Sequence, residues 1–397
     1  MATLVFNAGS SSLKFGLFEG EPCAAVVRGI VDWAAAGRAE LRLTLPSGVV
    51  REEVEADGYR GAVGHALRIL IERGFLPGEP ALGIQGVGHR VVHGGTLLRD
   101  STQVDERVKA AILRLAELAP LHNPPALAAI EAAELALPDV SQVAVFDTAF
   151  FAGLPASAYV YPLPYEWHAE WGVRRFGFHG VSHAYSASRA AELLGRDPAR
   201  LRLVICHLGN GCSASAVRAG AAIATTMGYT PLDGLMMGTR AGSLDPGILL
   251  YLARERGVTF EQLSRALHHG SGLLGVSGVS SDYRAVEATA NAGGERAQLA
   301  LTMYADRVRS AVGALTVSMG GIDALVFTAG VGENSASLRQ TVCNGLECLG
   351  LHLDQHLNRS ITTDGDIATT ASPGRILVIQ TREDLAIARE VRRVLGV

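Results

Sequence analysis

Cysteine is scarce and unpaired in this chain. Its five cysteines, Cys23, Cys206, Cys212, Cys343 and Cys348, are odd in number and contain no C-x-x-C. They support no disulfide framework and read as reduced, mostly buried thiols of a cytoplasmic protein. Charge is modest at 19%, and 35 basic against 39 acidic residues leave a net −4 with no polybasic run. That argues against nucleic acid or an anionic membrane as the main partner, so any anionic ligand must be met by individual arginines. Apolar stretches are broken by charge before they reach membrane-spanning length, and MATLVFNAGS has no basic n-region of a signal peptide. No GxxxxGK[ST] is present, which excludes a P-loop, and Gly330-x-Gly332 lacks the third glycine of a dinucleotide fingerprint.

Against these absences stands a 48% hydrophobic chain of 397 residues, enough for two or three full cores. Residues 4–18, LVFNAGSSSLKFGLF, read as a strand, a Gly/Ser turn and a second strand. Gly9 lets the backbone N–H groups approach an anion; Ser10, Ser11 and Ser12 add hydroxyl donors, and Lys14 adds a compact positive charge. Asn7 offers an uncharged oxygen suited to a hydrated hard cation such as Mg²⁺. An ordinary serine-rich hairpin would look the same. A similar strand–turn–strand begins near position 201, with His207, Leu208, Gly209, Asn210 and Gly211 at its turn. A third apolar run, ALVFTA, ends in a glycine turn at Gly330, Val331, Gly332, Glu333 and Asn334. Repetition across the two halves points to a duplicated α/β fold with a nucleotide between them.

Strands are expected at LVF, GVGHRVV, QVAVFD, LRLVICH, ALVFTA and RILVIQ. Helices are expected after Asp105, after Asp245-Pro246 and after the Thr259/Gln262 capping box, and over 297–319. The chain divides into residues 1–149, joined by a C-terminal helix at 384–397, and residues 150–383. Within GHRVVHGG, alternation puts Arg90 and Val92 on one strand face, suited to a carboxylate or phosphate bearing a short alkyl group. His89 and His93 lie on the other face without the acidic or cysteine neighbours of a metal site. His179, between Phe178 and Gly180, is a donor held against an apolar wall or simply a packed loop histidine; His183 reads as the latter. Residues 225–247 form a long ordered loop that carries Arg240 between glycines, a candidate for stabilising charge on a transferring phosphoryl group. Asp147 and Glu383 each follow an apolar strand, where a carboxylate either holds Mg²⁺ or caps a helix.

Taken in order, NAGSSSLK, GHRVVHGG, HNPP, FDTAF, RRFGFHG, HLGNG, TPLDGLMMGTR, TAGVGENS and the late Glu383 make the chain resemble the acetate kinase family along essentially its whole length. That resemblance implies duplicated ribonuclease H-like (actin-like ATPase) domains with the active site in the interdomain cleft. It implies Mg²⁺- or Mn²⁺-dependent direct in-line transfer from ATP to acetate, giving ADP and acetyl phosphate, in a cytoplasmic homodimer. Asn7 and Glu383 look like metal positions, and Lys14 like a nucleotide-phosphate contact. Arg90 looks like the acyl-substrate arginine, with Val92, Leu121, Phe178 and Pro231 as a methyl pocket. His179, Arg240 and Asp147 look catalytic. The runs 207–211, Asp282-Tyr283-Arg284 and 330–334 look like nucleotide-binding turns. Phe151, Cys212 and Ser243 depart from the family's usual residues. A propionate or butyrate kinase shares most of these motifs, and an actin-like ATPase switch would share the fold.

Overall fold

A computed structural model of the chain describes residues 2–9, 11–20, 23–33, 39–45, 48–55 and 58–397; Ser10 of the first glycine turn lies outside them. Two compact units form, Met1–Ala152 with Arg382–Val397, and Gly153–Thr381. Residues 150–152 and 382–383, expected in the second unit, therefore belong to the first. Phe151 is fully buried there, and Glu383 opens a helix that packs on the first unit's sheet.

The first sheet contains β1 (Ala2–Ala8), β2 (Ser12–Glu19), β3 (Ala24–Asp32), β4 (Ala39–Leu45), β5 (Gly48–Val54), β6 (Ile84–Val91), β7 (Thr102–Gln103) and β8 (Gln142–Phe146). Its order is β5-β4-β3-β2-β1-β6-β8-β7. The second contains β9 (Arg202–Leu208), β10 (Cys212–Arg218), β11 (Ala221–Thr225), β12 (Ala324–Thr328), β13 (Gly365–Asp366) and β14 (Arg375–Val378), in the order β11-β10-β9-β12-β14-β13. Both share one plan. Three antiparallel strands (β3-β2-β1; β11-β10-β9) are extended by two parallel ones (β6, β8; β12, β14) and closed by a two-residue antiparallel edge. The ribonuclease H-like plan is present twice, and β4–β5 is an addition to the first copy.

Hydrophobic patterning explains the layers. Leu4, Phe6, Leu13 and Leu17 of β1 and β2 bury against Val63, Leu67 and Leu70 of helix Gly58–Glu72 and against Ala129 and Ala133 of helix Asn123–Ala136. Each such leucine contributes about 1.5–3 kcal/mol when fully buried. On β6, Gly86 and Gly88 alternate with Val87 and His89, so between Gly86 and Arg90 one face of the strand has no side chains. Helix Glu383–Leu395 fills that trough. A Cβ on Gly86 would lie 2.5 Å from Leu395 and 2.9 Å from Val391, and one on Gly88 would lie 2.6 Å from Ile387. Glycine is therefore required for the helix to approach.

Expected helix starts at Asp105, Asp245 and Thr259 are present with their side-chain caps, and the Thr259–Gln262 box is complete. One expectation fails. Gly330 and Gly332 lie not in a glycine turn but in a short helix, Ala329–Asn334, entered through Ala329 at φ +64°. Ala329 N–H and the Thr328 hydroxyl both meet Thr381 Oγ1, at 2.9 and 3.1 Å, which pins this left-handed junction.

Candidate active site

In the first unit, Asn7, Arg90 and Asp147 come from the carboxyl ends of β1, β6 and β8, the edge at which open α/β sheets bind ligands. Asp147 is almost fully buried and holds Arg90 in a two-pronged ion pair, Nε to Oδ1 at 3.1 Å and Nη2 to Oδ2 at 2.7 Å. Arg90 Nη1 lies 3.8 Å from Glu383 Oε2. Burial works against the Arg90 charge, but Asp147 and Glu383 outweigh it and raise its pKa. Neither carboxylate caps a helix through its side chain. Asp147 turns to Arg90, and Glu383 is the first helical residue, after an N-cap at Arg382 that makes no side-chain cap bond. Burial first, then the charge of Asp147, raises the Glu383 pKa, against the pull of Arg90 and Lys14.

Lys14 is exposed and sits directly opposite Asn7 in the β1–β2 register. No group of three His, Cys, Asp or Glu gathers as a metal cluster among the described residues. The donor set nonetheless fits a hard cation. Glu383 is a carboxylate short of positive charge, and the Asn7 carboxamide supplies a neutral oxygen. His89 and His93 are tied into the core. His89 pairs with Gln142 at 2.8 Å, and burial pushes its pKa down to about 4. His93 Nδ1 accepts from Gly95 N–H at 3.0 Å, while Asn123 clasps its backbone. Of the expected methyl-pocket residues, Val92 is buried just beyond the end of β6 and Leu121 is 57% exposed.

In the second unit, Phe178 is fully buried and precedes His179, which takes φ +59° at the start of helix Gly180–Leu194. His179 stacks on His207 at 4.2 Å between ring centroids. A Cβ placed on Gly211 would lie 3.2 Å from His179 Nε2 and 4.0 Å from Arg240 Nη1, so imidazole and guanidinium converge where only glycine leaves room. Arg240 Nη1 donates to Pro231 O at 2.9 Å, so the Pro231 backbone carbonyl supports that arginine. Among the described residues no carboxylate pairs with Arg240, and burial lowers its pKa. Among the described residues a carbonyl and the Met237 sulfur are its hydrogen-bond partners, an arrangement that leaves a half-buried cation able to take an anion. Ser243 secures the same loop. Its hydroxyl donates to Asp233 Oδ1 at 2.6 Å, and Asp233 also accepts from Arg175 at 3.1 Å.

A cavity of ≈ 610 Å³ opens beside Gly209 and Asn210 and is also lined by Asp282, Tyr283, Arg284, Gly330, Val331 and Asn334. Its size suits a nucleotide. Leu208, His207 and Gly332 are buried, and Gly211 faces His179 and Arg240. Glu333, expected at the nucleotide, turns inward and accepts from both Thr381 N–H and Oγ1 at 2.7 Å. Sequence reading missed Leu273, Ser281, Glu287 and Ser335, which complete the wall. The capping serines beside Asp282 and at Ser335 were the available signal.

A duplicated frame of this kind, with an anion-seeking arginine near a nucleotide-sized cavity, defines a phosphotransferase of the actin-like ATPase fold. The acetokinase family profile matches residues 2–389, and the chain belongs to that family. It is 50% identical to the acetate kinase of Cyanothece sp. (strain PCC 7425 / ATCC 29141) over 398 residues, covering 98% of this chain and 97% of the relative. It is 46% identical to the propionate kinase of Citrobacter rodentium (strain ICC168) over 391 residues, covering 98% and 96%. The crystal structure of Porphyromonas gingivalis acetate kinase superposes with a TM-score of 0.93 at 40% identity, covering 99% of each chain.

Proposed function

We propose that the chain catalyses the reversible transfer of the γ-phosphoryl of ATP to acetate, giving ADP and acetyl phosphate by direct in-line displacement. The observation that carries this reading is Arg240. It is a half-buried guanidinium with no carboxylate partner among the described residues, converging with His179 on Gly211 beside the nucleotide-sized cavity. Its charge and the His179 N–H would neutralise the equatorial oxygens of the transferring group, while the turn at Gly209–Asn210 and the helix at Gly330 border the nucleotide. Arg90 would bind the acyl carboxylate through N–H groups that Asp147 and Glu383 leave over.

Acetate is already ionised at neutral pH, so no strong base is required. Asp147, locked to Arg90, orients that arginine rather than removing a proton. Mg²⁺ or Mn²⁺, when bound, would screen charge between the phosphate oxygens. Asn7 and Glu383 are the residues that would hold it, with Lys14 as a further phosphate contact. Val92, Leu121, Phe178 and Pro231 are proposed as the walls around the acetate methyl.

The 46% identity to a propionate kinase supports the nearest alternative, a longer acyl acceptor. Trapping acyl phosphate as the hydroxamate with acetate, propionate, butyrate or no acceptor tests both. Acetate is expected to give the highest kcat/KM. A preference for propionate would move the assignment within the family, and ATP hydrolysis without acyl-phosphate formation would overturn it. A homodimer working in the cytoplasm is the expected state. Exposed Ile248, Leu250, Tyr251 and Phe260 on two adjacent helices offer apolar surface that supports self-association. Among the described residues no helix is long and apolar enough to cross a membrane.

A further inference from the structure

Behind His179 runs a line of buried side chains that the reaction, as drawn so far, does not use. Ser215 Oγ lies 2.7 Å from His183 Nδ1. His183 Nε2 lies 2.8 Å from Ser213 Oγ, and that oxygen lies 2.9 Å from His179 Nδ1. Ser213, Ser215 and His183 are each fully enclosed. Adjacent chain elements set the spacing: Ser213 and Ser215 are alternate residues on β10, so they share a face, and His179 and His183 are separated by one helical turn.

The direction of the protons follows from the closed end of the line. A serine hydroxyl has one proton and two lone pairs. Among the described residues His183 Nδ1 is the hydrogen-bond partner of Ser215 Oγ. An orphaned buried donor costs more than an unused lone pair, so Ser215 donates and His183 Nδ1 accepts. Burial, together with His207 nearby, lowers the His183 pKa well below its ordinary value and keeps the ring neutral. Its one ring proton is then on Nε2, donated to Ser213. Ser213 has a single proton left to give, and it goes to His179 Nδ1.

We infer that Ser215, His183 and Ser213 form a one-way hydrogen-bond relay that fixes His179 as the Nε2–H tautomer, presenting a donor to the transferring phosphoryl group. They are positioning residues; only His179 touches the reacting atoms. The inference rests on the proposed role of His179 and adds the device that sets its protonation. Stacking on His207, itself bonded to Ser182 at 2.8 Å, holds the ring plane, while the relay holds the tautomer.

Two-bond ¹H–¹⁵N correlation spectra of the ¹⁵N-histidine-labelled full chain test this, with the His179 signals assigned by their loss in His179→Gln. The Nε2–H pattern is expected in the unaltered protein. Ser213→Ala should shift that pattern toward Nδ1–H or a mixture and lower kcat about 10- to 100-fold, with little change in the KM for ATP. Ser213→Thr, which keeps the hydroxyl, should restore both. An Nδ1–H tautomer in the unaltered protein overturns the relay, even if Ser213→Ala does not fold. So does a Ser213→Ala enzyme with undiminished kcat. Full turnover in His179→Gln would instead remove the catalytic reading beneath the relay, whatever tautomer the spectra report.

Discussion

Each unit presents a candidate arginine, Arg90 at the carboxyl edge of its sheet and Arg240 on a loop beside the β9–β10 turn, and the two are treated in opposite ways. Arg90 is flanked by acid, gripped by Asp147 at 2.7 and 3.1 Å and approached by Glu383. Arg240 has a carbonyl and a thioether for company, and burial weakens its hold on its proton. Apart from the added β4–β5 the two frames follow one plan, so the difference lies in what the edges carry. A paired guanidinium is rigid and nearly neutral as a unit, which suits the orientation of a small carboxylate. A guanidinium with no counter-ion stores unfavourable desolvation that an incoming polyanion relieves.

Removing the two arginines should therefore separate activity from stability. Arg90→Ala is expected to do the most damage. It should lower turnover by roughly 10²-fold or more and, by stranding the buried Asp147 carboxylate, destabilise the first unit by about 3 kcal/mol. Adding Asp147→Ala should restore much of the stability, read by thermal or urea melts, without restoring turnover. Arg240→Ala should lower turnover comparably and leave the melt unchanged, or raise its midpoint, because no charged partner is stranded among the described residues. Lysine should rescue either position poorly for want of the planar fork. Near-normal turnover in Arg240→Ala would end the contrast.

Glu383 sharpens the comparison further. Its pKa is raised in the folded protein, so ionising it disfavours the fold. Stability is lost as pH rises from the ordinary value of 4.5 through the raised one. Glu383→Gln should raise the melting temperature of the ligand-free protein at pH 7 and show no such gain near pH 4, where both forms are neutral. The same variant should need more Mg²⁺ for half-maximal activity. An unchanged Mg²⁺ titration would leave Glu383 a structural partner of Arg90 alone. The smallest effect is expected at Val92→Ala. Opening that buried position should improve propionate relative to acetate, mainly through KM, within the ~10- to 200-fold range that one methylene commands.

Much of this was legible in the chain because strand ends announce themselves. An apolar run that stops at Asn7 or Asp147 places a polar group at a sheet edge whatever else the fold does, and alternation within GHRVV singles out Arg90. Arg240 was legible for a different reason, a turn-rich loop too long to be idle. What was not legible depended on partners remote in sequence. Glu333 reads as a nucleotide contact until Thr381, 48 residues on, is seen to claim it. His183 reads as packing because its serines lie 30 and 32 residues away on β10. Gly330 and Gly332 read as a turn, since glycine pairs usually are one; Thr381 tips them into a helix. Alternating Gly86 and Gly88 were in plain view, but their meaning required the helix that lies on them.

That helix has a consequence for synthesis. Residues 382–397 supply the layer over β6, so the strands made earlier remain incompletely covered until that helix has been made. The interposed unit, Gly153–Thr381, closes on itself and can fold while the first still waits. A chain truncated after Thr381 should accordingly yield a protease-resistant core from Gly153–Thr381 and a digestible first segment. Equal resistance of both segments would show that the trough on β6 tolerates exposure. Until the late helix arrives, the glycines that make room for it leave an apolar groove open to any passing helix, so the earlier strands depend on a far later segment for protection.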